Sequence, residues 1–469
     1  MIILISSKID ETDIQAALGK PEYSYFFLMK DFMPALQRVG TVMLVKSVAE
    51  IESLHARYHA EGQAVVFLSF SPPHQVPVGL ACPTVSVFAW EFDSLPSMAW
   101  DNDPRNDWRY VFSHTHGAIT TSKETALLVN NAMQGSLPVI PLPAPIWDRY
   151  ASVGSREGWP VDLGERQFPF AGIVIDSPVL GLSADGLVCK PEAEAEQCVP
   201  QEPLPETLPA PGLSYYRALR ITASLLRGWL RDLGLSAPAD TPVVAVSGVV
   251  YTTVLNPADG RKNWVDLITA FCWAFKNTED ATLIVKMTHH DLEFYRTVLM
   301  TLLSRLAPFR CRVLVLHGFL EDEQYKALIR ASSYYVNSSS CEGLCLPLME
   351  FLASGKPAIA PDHTAMADYL NDKLAFVLKY SLEPTCWPHD PTGMLYTHRH
   401  RLNWQSLMEA FRSSYQLAHD NPSQYQDMSR HACRQMHDFA SVEQVSKPLE
   451  AFLHKVLANA AGSSGSLKP

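Results

Sequence analysis

Short apolar runs alternate with stretches of helical spacing, twice along the chain, and this rhythm leaves few folds open. From Met1 to about Tyr150 the runs are MIILIS, VGTVMLV, AVVFLSF, PTVSVFAW, HGAITTS and LPVIPLP, with YFFLMKDFMPALQRV and KETALLVNNAM among the intervening helices. Runs too continuous for one-faced strands predict parallel sheet covered on both sides. The rhythm returns over about 241–455, with strands expected at PVVAVSGVV, ATLIVKM, RVLVLHGF, SYYVNSS and PAIAP. The fold class is therefore α/β, with two Rossmann-like, doubly wound domains, over 1–150 and 241–455. Ligands in such domains sit beyond the carboxyl ends of the strands. The final helices near Val442–Leu457 are expected to cross back to the first domain, and the tail 456–469 to be disordered.

The region between, 151–240, breaks the pattern. From Lys190 to Pro211 it holds six prolines and five glutamates against one lysine, which predicts a flexible linker or long surface loop. Over 213–234 a helical wheel gathers Arg217, Arg220, Arg227 and Arg231 within about 80°, opposite Leu219, Leu225, Leu226, Trp229, Leu230 and Leu233. A domain-packing helix with a solvated basic face and a helix lying on anionic lipid both fit.

Charge and cysteine usage narrow the function classes. A formal net charge of -11 over 469 residues makes general nucleic-acid binding a poor reading. No apolar run reaches the roughly 18 residues that span a bilayer, and MIILISSKIDE reads as a first strand rather than a signal peptide. Nine scattered cysteines point to a reducing compartment. The expected location is cytoplasmic, with the inner face of the membrane open through 213–234.

The chemistry concentrates in Ser338–Pro361, SSSCEGLCLPLMEFLASGKPAIAP, which reads as strand end, turn, helix, turn and strand. Gly343 allows a tight turn, and the helix starts near Leu346 with Pro347 in its first turn. The N–H groups around Gly343, Leu344, Cys345 and Leu346, with the positive dipole end, form an anion site suited to a diphosphate. Glu342 sits at its mouth and Glu350 about one turn inside. Taken singly, each reads better as a surface carboxylate.

The run E-G-L-C-L-P-L-M-E followed by A-S-G-K-P-A-I-A resembles the signature of the retaining GT-B glycosyltransferases, family four (glycosyl transferases group 1). It keeps both glutamates, Gly343, Pro347, Gly355 and Pro357, and departs at Cys345, where the family commonly has glycine. The resemblance is strong over about 240–380. It implies a nucleotide-sugar donor (UDP or GDP), Glu342 on the donor sugar, Glu350 on the ribose, and no cofactor or metal. That family places an Arg and a Lys before the next domain's first helix, against the diphosphate. Lys262 matches the lysine; Asn256 stands where the arginine is usual, and Arg261 lies beside the lysine instead. By the same resemblance His317, Gly318 and Phe319 line a nucleobase pocket, with Lys286 pointing into the same crevice.

In the first domain, Glu91 and Asp93 end the strand of PTVSVFAWEFDSLP. Either is a candidate general base or oxocarbenium stabiliser, and a capping or salt-link role fits as well. His114 and His116 lack a third ligand at metal spacing. Asp101-Asn102-Asp103 lies in a loop and reads as surface. Cys341 and Cys345 read as buried thiols rather than a zinc pair. No P-loop or nucleophile elbow is present. The expected activity is transfer of a sugar to a glycan, lipid-linked or protein acceptor in envelope polysaccharide synthesis. An epimerase, a glycan phosphorylase or a non-catalytic scaffold on the same fold are the alternatives.

Overall fold

The computed structural model describes residues 1–7, 21–154, 158–180, 242–289, 292–388, 390 and 392–464. The first half builds one sheet. Strand β1 (Ile2–Ser7), helix α1 (Pro21–Val39), β2 (Thr41–Leu44), α2 (Val48–Ala60), β3 (Val65–Phe70) and β4 (Thr84–Phe88) lead to α3 (Trp108–Ser113) and β5 (Gly117–Thr120). Helix α4 (Lys123–Ala132), β6 (Val139–Pro141) and α5 (Trp147–Tyr150) complete it. The strand order is β2-β1-β3-β4-β5-β6, all parallel. Every residue of β3, VVFLSF, is buried, because helices cover both faces and leave no polar side to the strand.

The region 151–240, a linker or insertion by its composition, contributes strands where it is described. Its β7 (Arg166–Pro169) pairs with β9 (Val243–Val246), and its β8 (Ile173–Asp176) joins the second sheet, antiparallel to β12 (Arg312–His317). Before β12 come β10 (Val249–Leu255), α6 (Trp264–Ala274), β11 (Ala281–Met287) and α7 (Leu292–Leu306). After it come α8 (Asp322–Ala331), β13 (Tyr334–Val336), α9 (Leu346–Ala353), β14 (Ala358–Ala360) and β15 (Ala375–Val377). The sheet order is β15-β14-β13-β10-β11-β12-β8. The expected single strand PVVAVSGVV is thus two, broken at Gly248. Its φ is 70°, and a side chain there would meet Asp280 O at 1.9 Å. Strand β10 accordingly runs on through YTTVL, which is sheet core.

A hairpin of β16 (Tyr380–Cys386) and β17 (Tyr396–Leu402) follows, then α10 (Trp404–Asp420), α11 (Pro422–Ala440) and α12 (Val442–Ser464). Helix α12 packs on α1, and its Phe452 and Val456 lie against Gly117 of β5. It runs to Ser464, so the ordered chain does not stop at 456: Val456 and Leu457 are anchored in the apolar core, and the alanines that follow favour helix. The Pro/Glu stretch, the arginine-faced pattern of 213–234 and residues 465–469 lie outside the described residues. No helix among the described residues is long and apolar enough to cross a membrane.

Candidate functional site

Two loops at the carboxyl ends of neighbouring strands build the site. After β10, a turn at Asn256 leads to a single 3-10 turn, Gly260–Lys262, and Asn263 takes a left-handed φ of 51° before α6 begins. Asparagine tolerates that conformation. After β13, the segment Asn337–Cys345 runs alongside. The two loops are joined by Ser340 N to Arg261 O at 2.8 Å and by Ser338 Oγ to Lys262 O at 2.8 Å.

Glu342 is the centre. It is 4% exposed, and both its oxygens are held by cations: Oε1 by Lys262 Nζ at 2.5 Å, Oε2 by Arg261 Nη1 at 2.8 Å. Ser339 Oγ donates to Oε1 at 2.6 Å, and the Glu342 N–H donates to Thr364 Oγ1 at 3.0 Å. Burial opposes ionisation, but Lys262 and Arg261 outweigh it and hold this carboxyl well below the usual carboxylate range. Arg261 also meets Asp259 at 3.0 Å and, across the domain boundary, Glu91 at 3.4 Å. Burial pushes Glu91 up, with Arg261 opposing the shift.

Helix α9 begins beside this cluster. Cys345, its N-cap, has φ 63° and ψ 61°, the conformation that glycine adopts most readily. That explains why glycine is common there in the resembling family. The N–H groups of Gly343, Leu344 and Cys345 bond to no group among the described residues. Gly343 itself is not in a positive-φ turn, contrary to expectation. Its missing side chain serves domain contact: a Cβ would sit 3.0 Å from Ala89 Cβ and 3.1 Å from Trp90 N. Thr121 Oγ1 of the first domain donates to Gly343 O at 2.5 Å. The far end of α9 closes with Gly355 at φ 78°, Gly355 N bonding Leu352 O and Lys356 N bonding Phe351 O.

Glu350 lies one turn inside, 8% exposed, and pairs with no cation among the described residues. Tyr150 OH donates to Oε1 at 3.1 Å and Tyr325 OH to Oε2 at 2.6 Å. Burial raises its pKa, against those two hydrogen bonds and the charge of Arg149. Arg149 in turn bridges buried Asp31 of α1, at 3.1 Å, and Asp322 of α8, at 2.6 Å.

The structure separates the remaining candidates. Asp93 pairs with the hairpin rather than with Arg261 or Lys262. Its Oδ1 accepts from Thr397 Oγ1 at 2.8 Å and His398 N at 2.9 Å, so it fastens the β16–β17 hairpin to the first domain. Asn256 is a turn former, its Oδ1 accepting from Ala258 N at 3.1 Å. His317 ends β12, its Nε2 2.5 Å from His289 O, and Gly318 packs on Gly172 and Phe170 beside β8. With Phe319 they lie at the far side of the sheet from Glu342, three strand spacings or about 14 Å away. Lys286 is buried in β11 between them. His116 Nδ1 accepts from Thr84 N at 3.2 Å and His114 Nδ1 lies 2.7 Å from Tyr110 O, so both serve local structure. Asp103 holds Arg105 at the surface, and Cys341 and Cys345 are buried free thiols. Thr121, Tyr150, Tyr325 and Thr364 were not legible as site residues, since no local pattern marks a hydroxyl that only the fold brings to a carboxylate.

Residues 312–382 match the glycosyl transferases group 1 model. That span contains both glutamates and the whole of α9, so the resemblance read from the motif holds there. No curated protein matches the chain by sequence. Solved structures share its fold at low identity, three of them as follows. A glycosyltransferase from Rickettsia africae ESF-5 is 9% identical with a TM-score of 0.51, covering 98% of this chain and 99% of that one. The alpha,alpha-trehalose 6-phosphate synthase of Burkholderia multivorans is 10% identical with a TM-score of 0.50, covering 98% and 99%. The Anabaena Alr3699/HepE protein in complex with UDP is 11% identical with a TM-score of 0.50, covering 97% and 99%. The fold is GT-B.

Proposed function

We propose that this chain is a retaining glycosyltransferase of group 1 that moves a sugar from a UDP- or GDP-sugar to a glycan, lipid-linked or protein acceptor, in surface-polysaccharide synthesis. The observation that carries the reading is the grip of Lys262 and Arg261 on Glu342 beside the unbonded N–H groups of Gly343, Leu344 and Cys345. Departure of a nucleoside diphosphate builds negative charge, and fixed cations and N–H groups stabilise it in the transition state. Arg261 fills the role expected of the arginine missing at Asn256, and the two cations serve where other transferases use a metal.

Glu342 orients both cations and meets the donor sugar. Glu91, with its raised pKa and its place across the boundary, is the group positioned to accept the acceptor's proton. Glu350 is the ribose anchor, with Tyr150 and Tyr325 turned aside when the donor binds. A cavity of only ≈ 10 Å³ lined by Leu255, Lys262, Tyr335, Asn337 and Glu342 lies at this point. A nucleotide sugar needs a pocket of roughly 300 Å³ or more, so the domains part to admit it and close to exclude water. Peripheral contact with anionic lipid through 213–234 is tested by liposome co-sedimentation at low and high salt.

A thermal-shift panel of UDP- and GDP-sugars tests the donor, because a ligand of the folded state raises its melting temperature. Transfer assays with Glu342→Ala and Lys262→Ala should each show at least about tenfold loss, unchanged by a metal chelator. Wild-type rates in both variants would overturn the reading. A non-catalytic scaffold is the second reading, favoured by the occupation of both Glu350 oxygens by tyrosines. Absence of any calorimetric signal with either nucleotide sugar would support it.

A further inference from the structure

Two lysines among the described residues are almost wholly buried, and only one has an evident structural partner. Lys356, 4% exposed, lies over the Trp159 ring at 4.4 Å and donates to Arg330 O at 3.3 Å. A cation over an indole face is partly compensated for its lost hydration. Lys286, 3% exposed, has no aromatic face and no carboxylate in contact among the described residues. Its neighbours in register are Val254 on β10 and Leu316 on β12, both apolar. Its one hydrogen bond among the described residues runs from Nζ to Met287 O at 3.3 Å, toward the carboxyl end of its own strand.

An ammonium so placed destabilises the fold unless something offsets it. Burial pushes Lys286 down to about 8, with no anion holding it up. Nothing in the packing of β11 calls for a cation, since Ile284 and Val285 fill the adjacent positions with ordinary core. The location supplies the reason. Strand β11 lies between β10, whose following loop carries Arg261 and Lys262, and β12, which ends at His317. Each step is one strand spacing, about 4.8 Å.

We propose that Lys286 binds the phosphate joined to the nucleoside, while Arg261 and Lys262 hold the phosphate joined to the sugar. This rests on the donor site proposed above, and it assigns the two phosphates to different cations. A donor lying from Glu342 toward His317 passes over the end of β11 with its inner phosphate there. Opening of the cleft brings the ammonium into reach, and the anion replaces the Met287 carbonyl as its partner.

The test is calorimetry of wild type, Lys286→Met and Lys286→Arg with UDP, UMP and uridine, and with the guanosine series, alongside thermal unfolding. Lys286→Met should bind the diphosphate and monophosphate about tenfold to a hundredfold more weakly, as expected for losing a charged hydrogen bond. It should bind the nucleoside unchanged and melt at a higher temperature than wild type. Lys286→Arg should keep most of the phosphate affinity. Should Lys286→Met not fold, Lys286→Gln carries the same comparison. Wild-type affinity for UDP and UMP in the variant would overturn the assignment, as would an equal loss for uridine, which would mean that the lysine reads the base. If wild type binds neither nucleotide series, the donor site itself fails, and this assignment with it.

Discussion

Glu342 and Glu350 belong to one short motif, yet the fold gives them opposite surroundings. At the mouth, Glu342 is ion-paired twice and kept ionised. One turn inside, Glu350 faces two tyrosine hydroxyls, and burial raises its pKa. Two carboxyls whose environments push their pKa values apart have separate duties. The first is electrostatic, and the proposed reading places it with the chemistry. The second is a hydrogen-bond acceptor for Tyr150 of the other domain, and the proposed reading gives it to binding and closure.

The largest effect that would break this contrast is on catalysis at the mouth. Lys262→Ala and Arg261→Ala should each lower kcat by at least about tenfold, since each removes charge aimed at the leaving group. Glu350→Gln and Tyr325→Phe should leave kcat much closer to wild type and act on donor KM. If Glu350→Gln instead abolishes turnover at saturating donor, the two carboxyls do not divide the work as described.

On stability the order reverses. Glu350→Gln places an amide donor against a tyrosine hydroxyl, and Tyr325→Phe removes a hydrogen bond to a buried carboxylate. Each should cost about 1–3 kcal/mol in urea unfolding. A cost near zero would mean that the tyrosines are poised to move rather than structural.

The pH dependence sharpens the comparison further. Burial and the neighbouring Glu350 push Asp31 up to about 7 from 3.8, against the pull of Arg149. Between those values the folded protein holds a proton that the unfolded chain has lost, so stability falls as pH rises through that window. Asp31→Asn removes this slope, and its melting temperature relative to wild type should increase from pH 5 to pH 8. Glu342 behaves oppositely. Its depressed pKa contributes stability above the unfolded value, and that contribution is lost as pH falls toward the folded one. The smallest effect is expected at Cys345→Gly, which relieves a left-handed φ of 63° but removes a buried thiol. A change within about 1 kcal/mol and retained activity are expected.

Much of this was legible in the chain. The continuous apolar runs specified parallel strands because a strand covered on both faces has no polar side. The spacing from Glu342 to Gly355 specified the helix and the place where it starts. What stayed hidden depended on distant partners. The hairpin after Lys379 carries Glu, Arg, His and Pro, residues that read as loop. It forms because β16 and β17 pair and Asp93 anchors it from more than 300 positions away. Gly343 looked like a turn glycine until the other domain was seen pressed against it.

By itself, then, the sequence determined local periodicity, the two-sheet architecture and the charged types gathered in one motif, because these follow from backbone geometry and from neighbours within a few residues. Only the tertiary structure decided which carboxylate is ionised, which described lysine is buried without a counter-charge and which acid anchors a hairpin. Those outcomes depend on desolvation and on charges brought together from remote positions, and neither can be read from spacing along a chain.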